Sequence, residues 1–119
     1  MVELMPQERR KFPRAFRNVP LRLVIDSEDS VTEAKNISRS GAYCRVSRFL
    51  EPMSKLKIHL LLPVRKGGQT KNRRISCEGV VVRIEENQLD SGYNIAIFFN
   101  EITPKDSDAI AEYVATCAE

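Results

Sequence analysis

Tyr93-Asn94-Ile95-Ala96-Ile97-Phe98-Phe99 carries a large apolar side chain at every second position. That period of two belongs to a β-strand with one face on a core. Leu21, Leu23 and Ile25 repeat it near the start of the chain. Around them, Val19 to Ile25, Val31 to Ile37, Ala42 to Val46, Leu56 to Leu62, Ile75 to Ile84 and Tyr93 to Phe99 are short runs rich in β-branched or aromatic residues, separated by turn residues. They predict six strands. No helical stretch interrupts them, which favours antiparallel meander connections. Six strands with one buried face close most economically into a small barrel, which removes exposed edges. The expected fold class is therefore mainly β, a six-stranded antiparallel barrel.

The chain has 119 residues, 42% of them apolar, enough for one core and one domain over 1–119. Residues 103–118 read as a helix packed on the barrel of residues 18–100. Thr103 can cap it and Pro104 suits its first position, while Asp106 and Asp108 lie where the helix dipole favours negative charge. Ile110, Tyr113, Val114 and Cys117 then form one apolar stripe. Residues 1–17 are expected to be a flexible, arginine-bearing segment. Asp26 to Ser30 and Glu85 to Gly92 read as polar turns, and Arg65 to Arg74 as a long basic hairpin loop pivoting on Gly67-Gly68.

Through Arg74 the chain has 17 basic and 7 acidic residues; after it, 2 basic and 9 acidic. A basic first part suits an anionic partner, while the acidic remainder argues against a coat for a nucleic-acid polymer. Only eight residues are aromatic and none is Trp, which is thin for stacking a single strand. No apolar run approaches a membrane span, so no membrane insertion is expected. The first residues lack the apolar core of a signal peptide, which makes the cytoplasm the expected location. Cys44, Cys77 and Cys117 are widely spaced, and the single His59 reads as an interior strand residue. They suggest neither a disulfide framework nor a metal site, and no set of acid, base and nucleophile can be named; the expectation is a protein without catalytic residues, metal or cofactor.

Two short segments carry the remaining chemistry. Arg9-Arg10-Lys11-Phe12-Pro13-Arg14 is basic, and Pro13 disfavours helix at Phe12, so the segment is extended and its arginines splay. A guanidinium fits a phosphate or the O6/N7 edge of guanine bidentately and can stack on a base. In Asn36-Ile37-Ser38-Arg39-Ser40-Gly41, the strand period puts Asn36 and Ser38 on one face with Ile37 toward the core. Gly41 supplies either a positive φ or room for a close approach.

Arg10 to Arg14 matches R-x-x-x-R and Asn36 to Gly41 matches [D/N]-x-S-x-x-G, so the chain resembles the PilZ domains, bacterial receptors for cyclic di-GMP. The order of the segments agrees over essentially the whole chain. The resemblance implies a ligand site of Arg10, Arg14, Asn36, Ser38 and Gly41. It also implicates Arg9, because an arginine directly before the first motif arginine resembles the arrangement that accepts a stacked pair of ligands, which leans toward two cyclic di-GMP molecules per chain. The other cations, the loop from Arg65 to Arg74 included, would raise the potential that draws in a dianion. The implied mechanism is ordering of the arginine segment over the ligand, read by an unidentified downstream protein. The alternative is a PilZ-fold adaptor for pilus or motility systems that binds no nucleotide. One departure is Ala96-Ile97-Phe98-Phe99, where the family often has Gly at the first position.

Overall fold

β1 (Val19–Ile25) buries its alternate residues as the pattern requires: Val19, Leu21, Leu23 and Ile25 point inward. The computed structural model describes residues 19–87, 89 and 91–117, the side chains of 65, 66 and 117 excepted. Among these, β1 is followed by β2 (Glu28–Ser38), β3 (Gly41–Val46), β4 (Lys55–Lys66), β5 (Gln69–Glu86), β6 (Tyr93–Glu101) and a helix, α1 (Pro104–Cys117). The strands form a closed antiparallel barrel in the order β1-β2-β3-β6-β5-β4. Leu21, Leu23, Ile37, Ile58, Leu60, Ile75, Ile95 and Ile97 fill it. Burial of such side chains, at roughly 1.5–3 kcal/mol each, is the main stabilising term.

The order corrects the expected meander. β3 pairs with β6, not with β4, so the chain crosses the barrel mouth between them. The connection buries Leu50 in the core. The connection is then tied to β5 by Met53 N–H to Val81 O (2.6 Å) and Val81 N–H to Ser54 O (2.9 Å).

The basic stretch Arg65 to Arg74 is not a loop. β4 runs to Lys66 and β5 begins at Gln69, leaving a turn of Gly67 and Gly68 with φ of 59° and 81°. Two successive positive φ values make a hairpin turn whose twist matches the strands, and glycine adopts them without steric cost. Asp26 and Ser27, with φ of 52° and 70°, do the same before β2, which starts at Glu28 rather than at Val31. Apolar patterning ends where the core ends, whereas the backbone ladder continues through polar residues.

The helix matches its signals. Asp106 N–H donates to Thr103 Oγ1 at 3.2 Å, a cap of the kind that stabilises by about 1 kcal/mol. Ile110, Tyr113 and Val114 are buried on the stripe; the Cys117 side chain lies outside the described set. His59 is not interior: it sits half-buried on the outer face of β4, its Nδ1 2.9 Å from Ser76 Oγ. Among the described residues no helix is long and apolar enough to cross a membrane, and no group of His, Cys, Asp or Glu could hold a metal ion.

Cys44 and Cys77 are free and buried, and burial pushes both thiols up to about 12 from 9.0. Both raised values favour the neutral thiol, so stability tied to these groups is full below pH 9 and is lost as pH rises toward about 12. Iodoacetamide near neutral pH is expected to label both at least about a hundredfold more slowly in the native protein than in urea, by peptide mass spectrometry. Equal rates would contradict this packing.

Candidate functional site

Ile37 of β2 is fully buried, so Asn36 and Ser38 on either side of it face out of the barrel, as the strand period predicts. A bulge between Ala34 and Asn36 sets this phase. Both Ala34 and Ile37 reach the core although they are three residues apart, because Lys35 takes the extra position. Cross-strand pairing then carries Asn36 to Tyr43, Tyr43 to Ala96, and Ala96 to Arg83. A neighbouring row runs from Ser38 to Gly41 to Phe98. The wall formed by β2, β3, β6 and β5 thus presents Asn36, Tyr43, Phe98 and Arg83 together, with Phe98 49% exposed.

Tyr43 O–H donates to Glu85 Oε1 at 3.3 Å, and Arg83 Nε lies 3.6 Å from Glu85 Oε2. Partial burial, with the Glu85 charge and hydrogen bond adding to it, raises the Tyr43 pKa, while Arg83 lowers it somewhat. The phenol therefore stays a neutral donor. Along the wall, an exposed ring, a carboxamide and a guanidinium offer stacking, two-way hydrogen bonding and charge to a planar anionic ligand.

The second motif does more than face outward. Ser38 is 1% exposed, its hydroxyl 3.1 Å from that of Ser40 and accepting the Ser40 N–H at 3.2 Å. It holds the turn closed. Ser40 O accepts from Phe99 N–H at 2.9 Å, which fastens that turn to β6. Gly41 has no positive φ; of the two uses foreseen for it, close approach is the one observed. A Cβ at Gly41 would land on the carbonyl oxygen of Ile97, so the glycine lets the β6 backbone reach β3. Arg39, a variable position of the motif, turns the other way: its Nε donates to Ser107 Oγ at 3.2 Å and its Nη2 to Asp108 Oδ1 at 3.1 Å, both on α1. Arg73 Nη2 donates to Asp106 Oδ1 at 3.0 Å beside them. Arg9, Arg10 and Arg14 lie outside the described residues.

Comparison with protein-family models matches the PilZ domain over residues 8–116. This chain belongs to the PilZ domain family. No curated protein matches it. Among solved structures, this PilZ domain is similar to the inhibitor of motility MotI/DgrA of Bacillus subtilis, with TM-score 0.80, 22% identity, and coverage of 91% of this chain and 50% of that one. It is similar to the PilZ domain of YcgR from Escherichia coli, solved with c-di-GMP, at TM-score 0.66 and 10% identity over 92% of each chain. MrkH of K. pneumonia, in its apo state, gives TM-score 0.69 and 20% identity over 92% of this chain and 50% of its own. The chain spans about half the length of the motility inhibitor and of MrkH. At these identities the likeness is one of fold, and that fold is the one of a family of cyclic di-GMP receptors.

Reading the motifs alone brings out Asn36, Ser38 and Gly41 but misses Tyr43 and Arg83 on the same wall of the PilZ domain. Tyr43 was within reach, being two residues past Gly41 and so on the same strand face. Arg83 was not, because a second register shift between Val81 and Arg83 decides its side of the sheet.

Replacing Gly41 tests its structural duty. Gly41→Ala is expected to destabilise the domain by about 1–3 kcal/mol, the usual range for overpacking, seen as a fall in melting temperature of order 10 °C. An unchanged melting temperature would show that β3 and β6 do not need the gap.

Proposed function

We propose that this PilZ domain binds cyclic di-GMP on the wall formed by β2, β3, β6 and β5 and acts as a receptor without chemistry of its own. The observation that carries the reading is the outward row of Asn36, Tyr43 and Arg83 beside the turn that Ser38 and Gly41 shape. Asn36 pairs with a guanine edge, Phe98 supplies an apolar face, and Arg10 and Arg14 bring the cations that two phosphates require. Segment 9–14 closes over the ligand, and the altered surface is what a downstream protein reads. Arg9, directly before the first motif arginine, supports two stacked ligands per chain. The fold of the structural neighbours, one of them solved with c-di-GMP, supports the same reading. Ala96 in place of the family's usual glycine adds only a methyl group to the wall.

Isothermal titration of the purified chain with cyclic di-GMP tests this. Expected are saturable heat, a stoichiometry near two, and an affinity that falls as salt is raised, since counterions screen a dianion. Arg10→Ala and Arg14→Ala are each expected to abolish the heat while the thermal melt stays unchanged. A folded protein giving no heat at ligand concentrations well above micromolar would leave the adaptor reading in its place.

A further inference from the structure

The opposite side of the barrel holds a concavity of about 490 Å³ over β1 and β4. In the ring order β1-β2-β3-β6-β5-β4, the β1–β4 seam lies diametrically across from the β3–β6 seam. Its centre is one cross-strand row: Val31 faces Arg22, Arg22 faces His59, and His59 faces Ser76. Pro20 and Leu61 add apolar surface, and Arg74, which faces Leu61, closes one end.

Three properties define what fits. The apolar part is real: Val31 is 79% exposed on a strand whose neighbouring outward residues are charged. The polar part is cationic: Arg22 and Arg74 line the groove and no carboxylate does. Arg74 has no ion pair among the described residues, and Arg22 meets only Asp29, at 3.2 Å with both side chains about half exposed. A pair so exposed is worth little and exchanges readily for another carboxylate. Lastly, where Ser76 donates to His59 Nδ1, the ring proton sits on Nε2, which is then a further donor.

We propose that this groove docks an acidic peptide segment of a partner protein, with one apolar side chain seated against Val31, Pro20 and Leu61 and flanking carboxylates on Arg22 and Arg74. A nucleotide fits less well, because no Phe, Tyr or Trp lines the groove for a base and no helix N-terminus or glycine-rich turn meets it for a phosphate. The volume is on the scale of small ligand sites, about 300–1,000 Å³, and suits a short anchoring segment. Peptide and nucleotide sites share two strands: β2 carries Val31 on one wall and Asn36 on the other, with the bulge between, and β5 carries Arg74 and Ser76 at one and Arg83 at the other. The proposal stands independently of the nucleotide reading.

The test is a two-dimensional 15N NMR titration of the full chain with the blocked peptide Asp-Glu-Leu-Leu-Glu-Asp. Two controls accompany it: one with lysine for every acid, one with glycine for both leucines. The acidic leucine peptide is expected to shift the amides of Arg22, Val31, His59 and Ser76 saturably, and both controls to shift them far less. Arg22→Glu with Arg74→Glu is expected to weaken binding at least about tenfold, the scale of losing two flanking charge contacts. Val31→Glu, at an exposed position, should do the same without touching the cations. Absence of shifts, equal shifts with either control, shifts confined to Asn36 to Gly41, or displacement of the peptide by a single-stranded oligonucleotide would each overturn it.

Discussion

β3 and β6 run side by side through six residue pairs, and they can do so because Gly41 leaves the Ile97 carbonyl its space. This seam closes the ring. On one side of it the chain forms the β1-β2-β3 group, on the other β4-β5-β6, and among the described residues the β3–β6 and β1–β4 pairings are the strand ladders that join the two. Each group alone is an open sheet with one apolar face, which could not satisfy both its backbone edges and its core. Opening the β3–β6 seam would also scatter the wall, since Asn36 and Tyr43 come from one group and Phe98 and Arg83 from the other. Closing the ring is what brings these four residues onto one wall.

Local chemistry made much of this legible. The alternation of Leu21, Leu23 and Ile25, the cap at Thr103 and the stripe from Ile110 to Val114 are short-range signals, and each means the same thing in the fold as in the sequence. The positions of Asn36 and Ser38 opposite Ile37 followed from the strand period alone. What escaped is long-range. Nothing near Val46 announces that the next strand will cross the barrel, because the pairing of β3 with β6 joins residues about fifty positions apart. Polar strand ends such as Gln69 to Arg74 carry no apolar pattern, so they read as loop until the two-glycine turn is seen. The placement of His59 failed for a related reason: its neighbours Ile58 and Leu60 are the core residues, and within a nearly continuous apolar run the phase cannot be read.

Two motif residues also carry structural duties. Ser38, expected as a ligand position like Gly41, is sealed into a turn, and Gly41 is a gap for a backbone. Both roles precede any ligand: they set where Asn36 stands. Arg39, by contrast, looked incidental and proves to be the bond between that turn and the first turns of α1, with Arg73 doing parallel service on Asp106. The exposed Arg39–Asp108 pair adds about a few tenths of a kcal/mol, the range known for surface ion pairs, so it serves to orient the helix more than to hold it, while the Arg73–Asp106 pair is partly buried.

The hairpin of β4 and β5 has one more property. β4 pairs with β1 only over Lys57 to Leu60, and β5 reaches β6 only from Glu78 onward, so the arm around Gly67 and Gly68 is a two-stranded ribbon among the described residues. Such a ribbon offers unpaired backbone groups along both sides, an open template for another copy of the chain. Pro63 withdraws an N–H from one side, and Lys71, Arg73 and Arg74 line the other strand with like charge. The basic stretch that first suggested an anionic partner thus also guards the protein against joining itself strand to strand as its concentration rises.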